Sequence, residues 1–310
     1  MVETRTESVP PEPWTEKLLG LVGGTAEEAE RLGLLRILFL IHVACELLVT
    51  APWQAFVADV VALEAGAFTG MWIAGGILGC LLWHRLGDGE SLPLTVAWLF
   101  AVAAVLWLFP NLPNHFFLVV FCLTVLQLLD LERPSEAVLG LRTLRWAAVV
   151  VFTATGFQKV RYGTYFHGEF MTWAIAHTER FAALFQAVMP AEEWQRLRAL
   201  PREGPFGTSW WPLVAVSNLV WVFELTAPIF LFFRRTREAI TAAMIVFLFF
   251  IELGAREWMF GCIFVSLMLL FPRGSYLPRA IPIYALIYAS IFASRIPAAL
   301  GFGDWGFLPL

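Results

Sequence analysis

Charge is what this sequence has least of: 15% of its 310 residues are charged, with 21 Lys or Arg set against 25 Asp or Glu. A soluble domain of this length carries roughly a quarter of its residues charged to cover its surface, so an ordinary soluble fold is excluded. No basic stripe offsets the net charge of −4, which argues against nucleic acid as a partner. Cysteine is scarce as well. Cys45, Cys80, Cys122 and Cys262 each fall in a different apolar run, without CxxC or metal-ligand spacing, and read as small core residues. The chain has no P-loop, no GxGxxG before a strand and no HExxH, so nucleotide and zinc chemistry are unsupported. Residues 1–32 hold Pro10, Pro11 and Pro13 and the charges Glu27, Glu28, Glu30 and Arg31, but no apolar h-region with a cleavage site. No secretory signal peptide is expected there, and the stretch Trp14 to Leu21 is suited to a short interfacial helix.

What the sequence has in abundance is apolar surface: 59% of residues are hydrophobic, among them 28 Phe and 14 Trp. These residues cluster into runs of about 17 to 23, the length that crosses the hydrocarbon core as a helix. The expected fold is all-α, a polytopic integral membrane bundle of roughly nine spans with no soluble domain. The spans are placed near 33–52, 66–84, 93–110, 114–130, 144–160, 211–233, 238–255, 258–272 and 278–298. Pro52, Gly87-Asp88-Gly89, Pro110 with Pro113, Pro134, Arg234 to Arg237 and Pro272-Arg273-Gly274 break them. This divides the chain into a tail over 1–32, a membrane domain over 33–300 and a C-terminal tail over 301–310.

Basic residues alternate between the loops. Arg5, Lys17 and Arg31 precede span 1, Arg85 follows span 2, Arg133 and Arg142 follow span 4, and Arg234, Arg235 and Arg237 follow span 6. Loops 53–65 and 111–113 have no basic residue. The positive-inside rule then puts the N-terminus in the cytoplasm of an inner or plasma membrane protein. Segment 161–210 is the main exception, falling outside although it carries Arg161, Arg180, Arg196, Arg198 and Arg202, since long loops obey the charge rule weakly. The spacing of its apolar residues from Gly163 to Met189 predicts a helix on or dipping into the outer leaflet, forming a lid.

Ionisable groups within spans are functional candidates because lipid makes them costly. Arg36, Arg145, Arg279 and Arg295 lie close to span ends and are set aside as snorkelling. His42, Glu46, His115, Lys159, Glu224, Glu252 and Arg256 remain. On this topology His115, Lys159, Glu252 and Arg256 share the outer leaflet. Each also has a structural reading. Lys159 can snorkel, Glu252 can pair with Arg256 and His42 with Glu46, His115 can start a helix after Pro113 and Asn114, and Glu224 can serve helix packing.

Three stretches in order are similar to a known family. Val151-Phe152-Thr153-Ala154-Thr155-Gly156-Phe157-Gln158-Lys159-Val160 with Gly168 resembles the lysine motif of vitamin K-dependent gamma-carboxylase and of the horizontally transferred transmembrane (HTTM) family. Asn114-His115 resembles the Asn-His helix start of that enzyme, and Phe223-Glu224-Leu225-Thr226 through Arg235-Thr236-Arg237 resembles its acidic-Leu-Thr helix. The resemblance covers roughly residues 33–272. It implies a membrane pocket open to the extracytoplasmic side, with Lys159 as base toward a reduced quinone and His115 as a second functional group. In general, withdrawing an amine from water disfavours its charged form, which suits it to act as a base. Two departures are visible. Glu252, in Phe249-Phe250-Ile251-Glu252-Leu253, stands where the family has a histidine, and the chain ends at Leu310 without room for a large lumenal domain. Carboxylation of a propeptide-bearing protein is therefore not expected.

The sequence thus favours a membrane enzyme with Lys159, His115 and Glu252 as catalytic candidates. Asn114, Arg256 and Glu224 are candidate substrate-binding residues. Its partners are the lipid bilayer and a hydrophobic, quinone-like molecule. The other reading is a non-catalytic subunit or assembly helper holding a membrane partner protein. A transporter would need paired broken helices in matching halves, which the sequence does not offer.

Overall fold

The computed structural model describes residues 25–45, 92–108, 115–129, 134–255 and 258–272, and beyond these 276, 279, 282–284, 286–287 and 289. Among the described residues the chain is helical throughout, with no strand. The helices are α1 (Thr25–Cys45), α2 (Leu92–Leu108), α3 (His115–Leu128), α4 (Pro134–Tyr162) and α5 (Glu169–His177). After these come α6 (Glu179–Gln186), α7 (Ala191–Arg198), α8 (Trp211–Phe230), α9 (Arg237–Ala255) and α10 (Trp258–Met268). Among the described residues two helices, Ser135–Tyr162 within α4 and Trp211–Phe230, are long and apolar enough to cross a membrane. The apolar helices α2, α3 and α10 have 17, 14 and 11 residues. At about 1.5 Å per residue these lengths fall short of a hydrocarbon core of about 30 Å. The expected spans at 66–84 and 278–298 lie wholly or largely outside the described residues.

α4 is the centre of the bundle, packing against α1, α3, α8 and α10. One continuous core joins these helices, with Leu35 and Phe39 of α1, Leu123 of α3, Leu144 and Phe152 of α4 and Phe264 of α10 buried together. Glycine sets how closely helices approach. A methyl group added at Gly140 would collide with Leu129, and one added at Gly156 would lie 2.9 Å from Glu224 Cβ and 3.1 Å from its carbonyl carbon. The outward faces of the long helices are apolar. Trp146, Val150 and Phe157 on α4, Leu219 and Ile229 on α8 and Phe250 on α9 are all exposed.

Arginines close the helix ends. Arg31 Nη1 donates to the Pro272 carbonyl (2.9 Å), Arg145 Nε to the Leu270 carbonyl (2.9 Å) and Arg237 Nε to the Leu231 carbonyl (2.9 Å). Arg36 Nη2 donates to the Leu126 carbonyl of α3 at 3.2 Å. Terminal carbonyls lack an intrahelical donor and carry the negative end of the helix dipole, so a guanidinium is a good partner. Arg145 is buried and also lies over the Phe271 ring, which corrects the snorkelling expected of it.

Where one helix is expected over Gly163 to Met189 there are two, α5 and α6, and α7 follows before residue 210. Gly163 (φ 70°) and Gly168 (φ 77°) bracket a turn in the left-handed region that favours glycine. Beyond it, α5 to α7 gather a separate small core of Met171, Ile175, Ala182, Met189 and Leu197, closed by Leu213 of α8. Arg198 Nη1 donates to the Ile175 and Ala176 carbonyls (3.0 Å each), and its other arm meets Glu179. Glu193 takes hydrogen bonds from Arg196 (2.7 Å) and from the Thr208 hydroxyl (2.6 Å). These bonds, the arginine first, hold its carboxyl well below the usual range, at about 2.

Candidate functional site

The site grows from the contact between α4 and α8. Lys159 lies on the last turn of α4, and its ammonium donates to both oxygens of Glu224, at 2.9 Å and 2.7 Å. Glu224 is buried on α8, and Gly156, one turn before Lys159, leaves room for its backbone. With any side chain at 156 the helices would stand apart and the two charges would separate. The Thr155 hydroxyl, which donates to the Phe152 carbonyl at 2.8 Å, faces the same carboxylate. Pro228 supplies no N–H to the Glu224 carbonyl four residues before it, so this turn of α8 lacks one rung of its ladder.

Above the pair sits Tyr165, in the turn between the two left-handed glycines. Lys159 Nζ lies 5.4 Å from the centre of its ring, a cation–π distance. Tyr165 stacks on Phe170 (4.9 Å, 17°), and its carbonyl accepts a hydrogen bond from the buried Ser217 hydroxyl of α8 at 2.8 Å. One residue on, the Phe166 carbonyl accepts from Asn218 Nδ2 at 2.9 Å.

The structure brings Lys159 and Glu224 together directly. His115 opens α3, buried, with its ring 5.2 Å from Phe116 and 6.5 Å from Phe260 of α10. Glu252 is buried on α9 against the next residue of α10: its Cγ would lie 2.7 Å from a Cβ at Gly261. His115 and Glu252 therefore converge on adjacent residues of α10. A row of rings leads from there to the residue beside Glu224: Phe260 to Phe264 (5.3 Å), Phe264 to Phe152 (5.5 Å) and Phe152 to Phe223 (6.5 Å). Asn114 and Arg256 lie outside the described residues, as does Glu46, the expected partner of His42. Among the described residues no cluster of His, Cys, Asp and Glu could hold a metal ion.

The sequence points to both members of the pair but in separate roles; it offers Thr155 and Gly156 only as letters of the lysine motif, with no role, and does not single out Tyr165 or Ser217. A signal was present in the composition. Lys17 and Lys159 are the two lysines of the chain, and the remaining 19 basic residues are arginine. Among the described residues arginine ties helix ends and pairs with carboxylates of the cap, and the one described lysine meets a carboxylate buried between α4 and α8. No protein-family model, curated protein or solved structure matches the chain.

Proposed function

We propose that this chain is a polytopic membrane enzyme related to the HTTM family, in which Lys159 is a base toward a lipid quinol reached from the extracytoplasmic side. The observation that carries the reading is the presence of lysine, rather than arginine, at the buried pair. An arginine would hold Glu224 as well or better through its planar fork, but it does not give up its proton. Lysine is the choice where the amine must lose and regain one. Glu224 holds the amine in place and balances its charge whenever it is protonated.

The surroundings suit a hydrophobic ring substrate. Phe152, Phe223 and Phe247 pack together beside Glu224, the apolar wall with few convergent polar groups that such a site requires. A bound quinol would bring an acidic hydroxyl and two electrons. The protein's part is to pass one ammonium proton from Lys159 Nζ to the Glu224 carboxylate it already bonds, to accept the hydroxyl proton at the freed amine, and to keep water away from the reacting ring. His115 and Glu252, at the far end of the ring row, are assigned to the other end of the substrate.

The membrane setting rests on the exposed apolar faces of α4, α8 and α9. A water-facing bundle of long helices would carry charge there, as segment 163–210 does with Glu192, Arg196, Arg202 and Glu203 exposed. Mass spectrometry of lipids that copurify with the full chain, followed by oxygen uptake with a reduced quinone, tests the reading. A retained quinone and quinol-dependent uptake support it. Folded protein that retains no quinone and consumes no oxygen overturns it in favour of a non-catalytic subunit.

A further inference from the structure

We infer that Tyr165 is the gate of Lys159 on the side of the cap, carried on a strap from Gly163 to Gly168 that must swing away from α8 before a molecule entering from segment 163–210 reaches the amine. An ammonium has three N–H directions. Two are spent on the oxygens of Glu224, and the Tyr165 ring stands 5.4 Å from the nitrogen. Packing at Gly156 closes the side toward the middle of α8. A reactant approaching from segment 163–210 therefore meets Tyr165 first.

The strap is built to move as a unit. Both its ends are glycines with positive φ, and the cap beyond it, α5 to α7, has its own core and its own arginine ties. What fastens the strap to α8 is limited: the Ser217 hydroxyl on the Tyr165 carbonyl, the Asn218 amide on the Phe166 carbonyl and the Phe166 ring edge-on to Trp221 at 5.6 Å. The Tyr165 ring itself is held by stacking on Phe170. Two hydrogen bonds and two ring contacts are a closure that thermal motion can open, in contrast to the apolar core beneath it. The chemical consequence is selection. A flat aromatic ring can take over the Tyr165 position above the cation or stack against it, whereas a bulky saturated head group cannot. This selectivity rests on the proposed function, but the gate itself does not.

The chain offers a direct test, because its two lysines report separately. The full chain in detergent is treated with trinitrobenzenesulfonate, and modification of Lys159 and Lys17 is followed by peptide mass spectrometry. Lys159 of the wild type should react much more slowly than Lys17. Ser217→Ala should raise the Lys159 rate by about fivefold, the opening expected from losing one ordinary hydrogen bond. Tyr165→Ala should raise it further, and Tyr165→Phe, which keeps the ring, should leave it unchanged. The Lys17 rate should stay constant in all three. If Ser217→Ala and Tyr165→Ala leave the Lys159 rate at the wild-type value, or if Tyr165→Phe raises it as much as Tyr165→Ala, the gate is refuted. The readout needs no quinol, so a protein inactive in oxygen uptake still tests the gate.

Discussion

At the scale of single residues the decisive feature is a cation and an anion held together inside apolar helices. The Glu224 side chain is 5% exposed and that of Lys159 19%, so neither charge has full access to water. Removing one partner from such a pair leaves the other uncompensated, which typically destabilises a protein by about 3–5 kcal/mol; removing both for apolar groups is often near neutral. Glu224→Leu alone should therefore lower thermal stability in detergent strongly, and the double variant Lys159→Met with Glu224→Leu should recover most of the loss. A double variant as unstable as the sum of the two single ones would show that the residues act independently. The same scale explains what was legible in the sequence. Lys159 and Glu224 stood out because charge in an apolar run is costly wherever it falls. That they pair across 65 positions was not legible, because it depends on the missing Cβ of Gly156 and on the register of α4 against α8. Tyr165 was invisible for a different reason: an aromatic among 28 phenylalanines and 14 tryptophans carries no mark of its own.

At the scale of elements, hydropathy predicted the helices well where apolar runs ended at proline or at charge. The expected runs at 114–130, 211–233 and 238–255 appear as α3, α8 and α9 with ends shifted by a few residues. α4 begins at Pro134, well before its expected start at 144, because proline suits the first position of a helix and the stretch Ser135 to Arg142 continues it with Ala137 and Leu141 buried in the core. The single leaflet helix expected over 163–189 fails at Gly168 and Thr178, where the chain turns to make a small core that the spacing of apolar residues could not reveal. Glu193 gives that cap a measurable acid sensitivity. Its carboxyl titrates at about 2 in the folded chain, below an ordinary value of 4.5, chiefly because Arg196 donates to it. A group with a lowered folded value contributes stability above its ordinary value and loses it as pH falls. Hydrogen exchange of residues 191–208 should therefore accelerate as pH is lowered from about 4.5 toward 2, after correction for the intrinsic pH dependence of exchange. Glu193→Gln should flatten that dependence, and an unaltered profile would remove Glu193 from the clamp.

At the scale of the whole molecule, the turn from Leu231 to Thr236 and the cap α5 to α7 flank the two ends of α8, so a membrane crossed by α8 should have them on opposite sides. Two cysteine reporters, each in a chain carrying Cys45→Ala and Cys80→Ala, test this in sealed vesicles of known orientation. Gln195→Cys in the cap should react with an impermeant maleimide from the extracytoplasmic side, and Arg235→Cys only from the cytoplasmic side; Cys122 and Cys262 are buried and serve as background. Labelling of both reporters from one side would overturn the topology. Within that frame the polar groups divide by depth. On the proposed topology the ties of Arg31, Arg145 and Arg237 would lie on the cytoplasmic side, and the lysine pair toward the cap, with the ring row leading from it to His115 and Glu252.

All of this turns on whether Lys159 transfers a proton or only balances Glu224. Quinol-dependent oxygen uptake by the wild type and by Lys159→Arg, at equal folded protein, separates the two. Arginine keeps the charge and the bond to Glu224 but cannot serve as a base at working pH. Lys159→Arg should fold, stay as stable as the wild type and lose uptake by a factor of about 100 or more, the lower range for removing a general base. Wild-type uptake in Lys159→Arg would instead leave Lys159 a structural cation and end its role as the base.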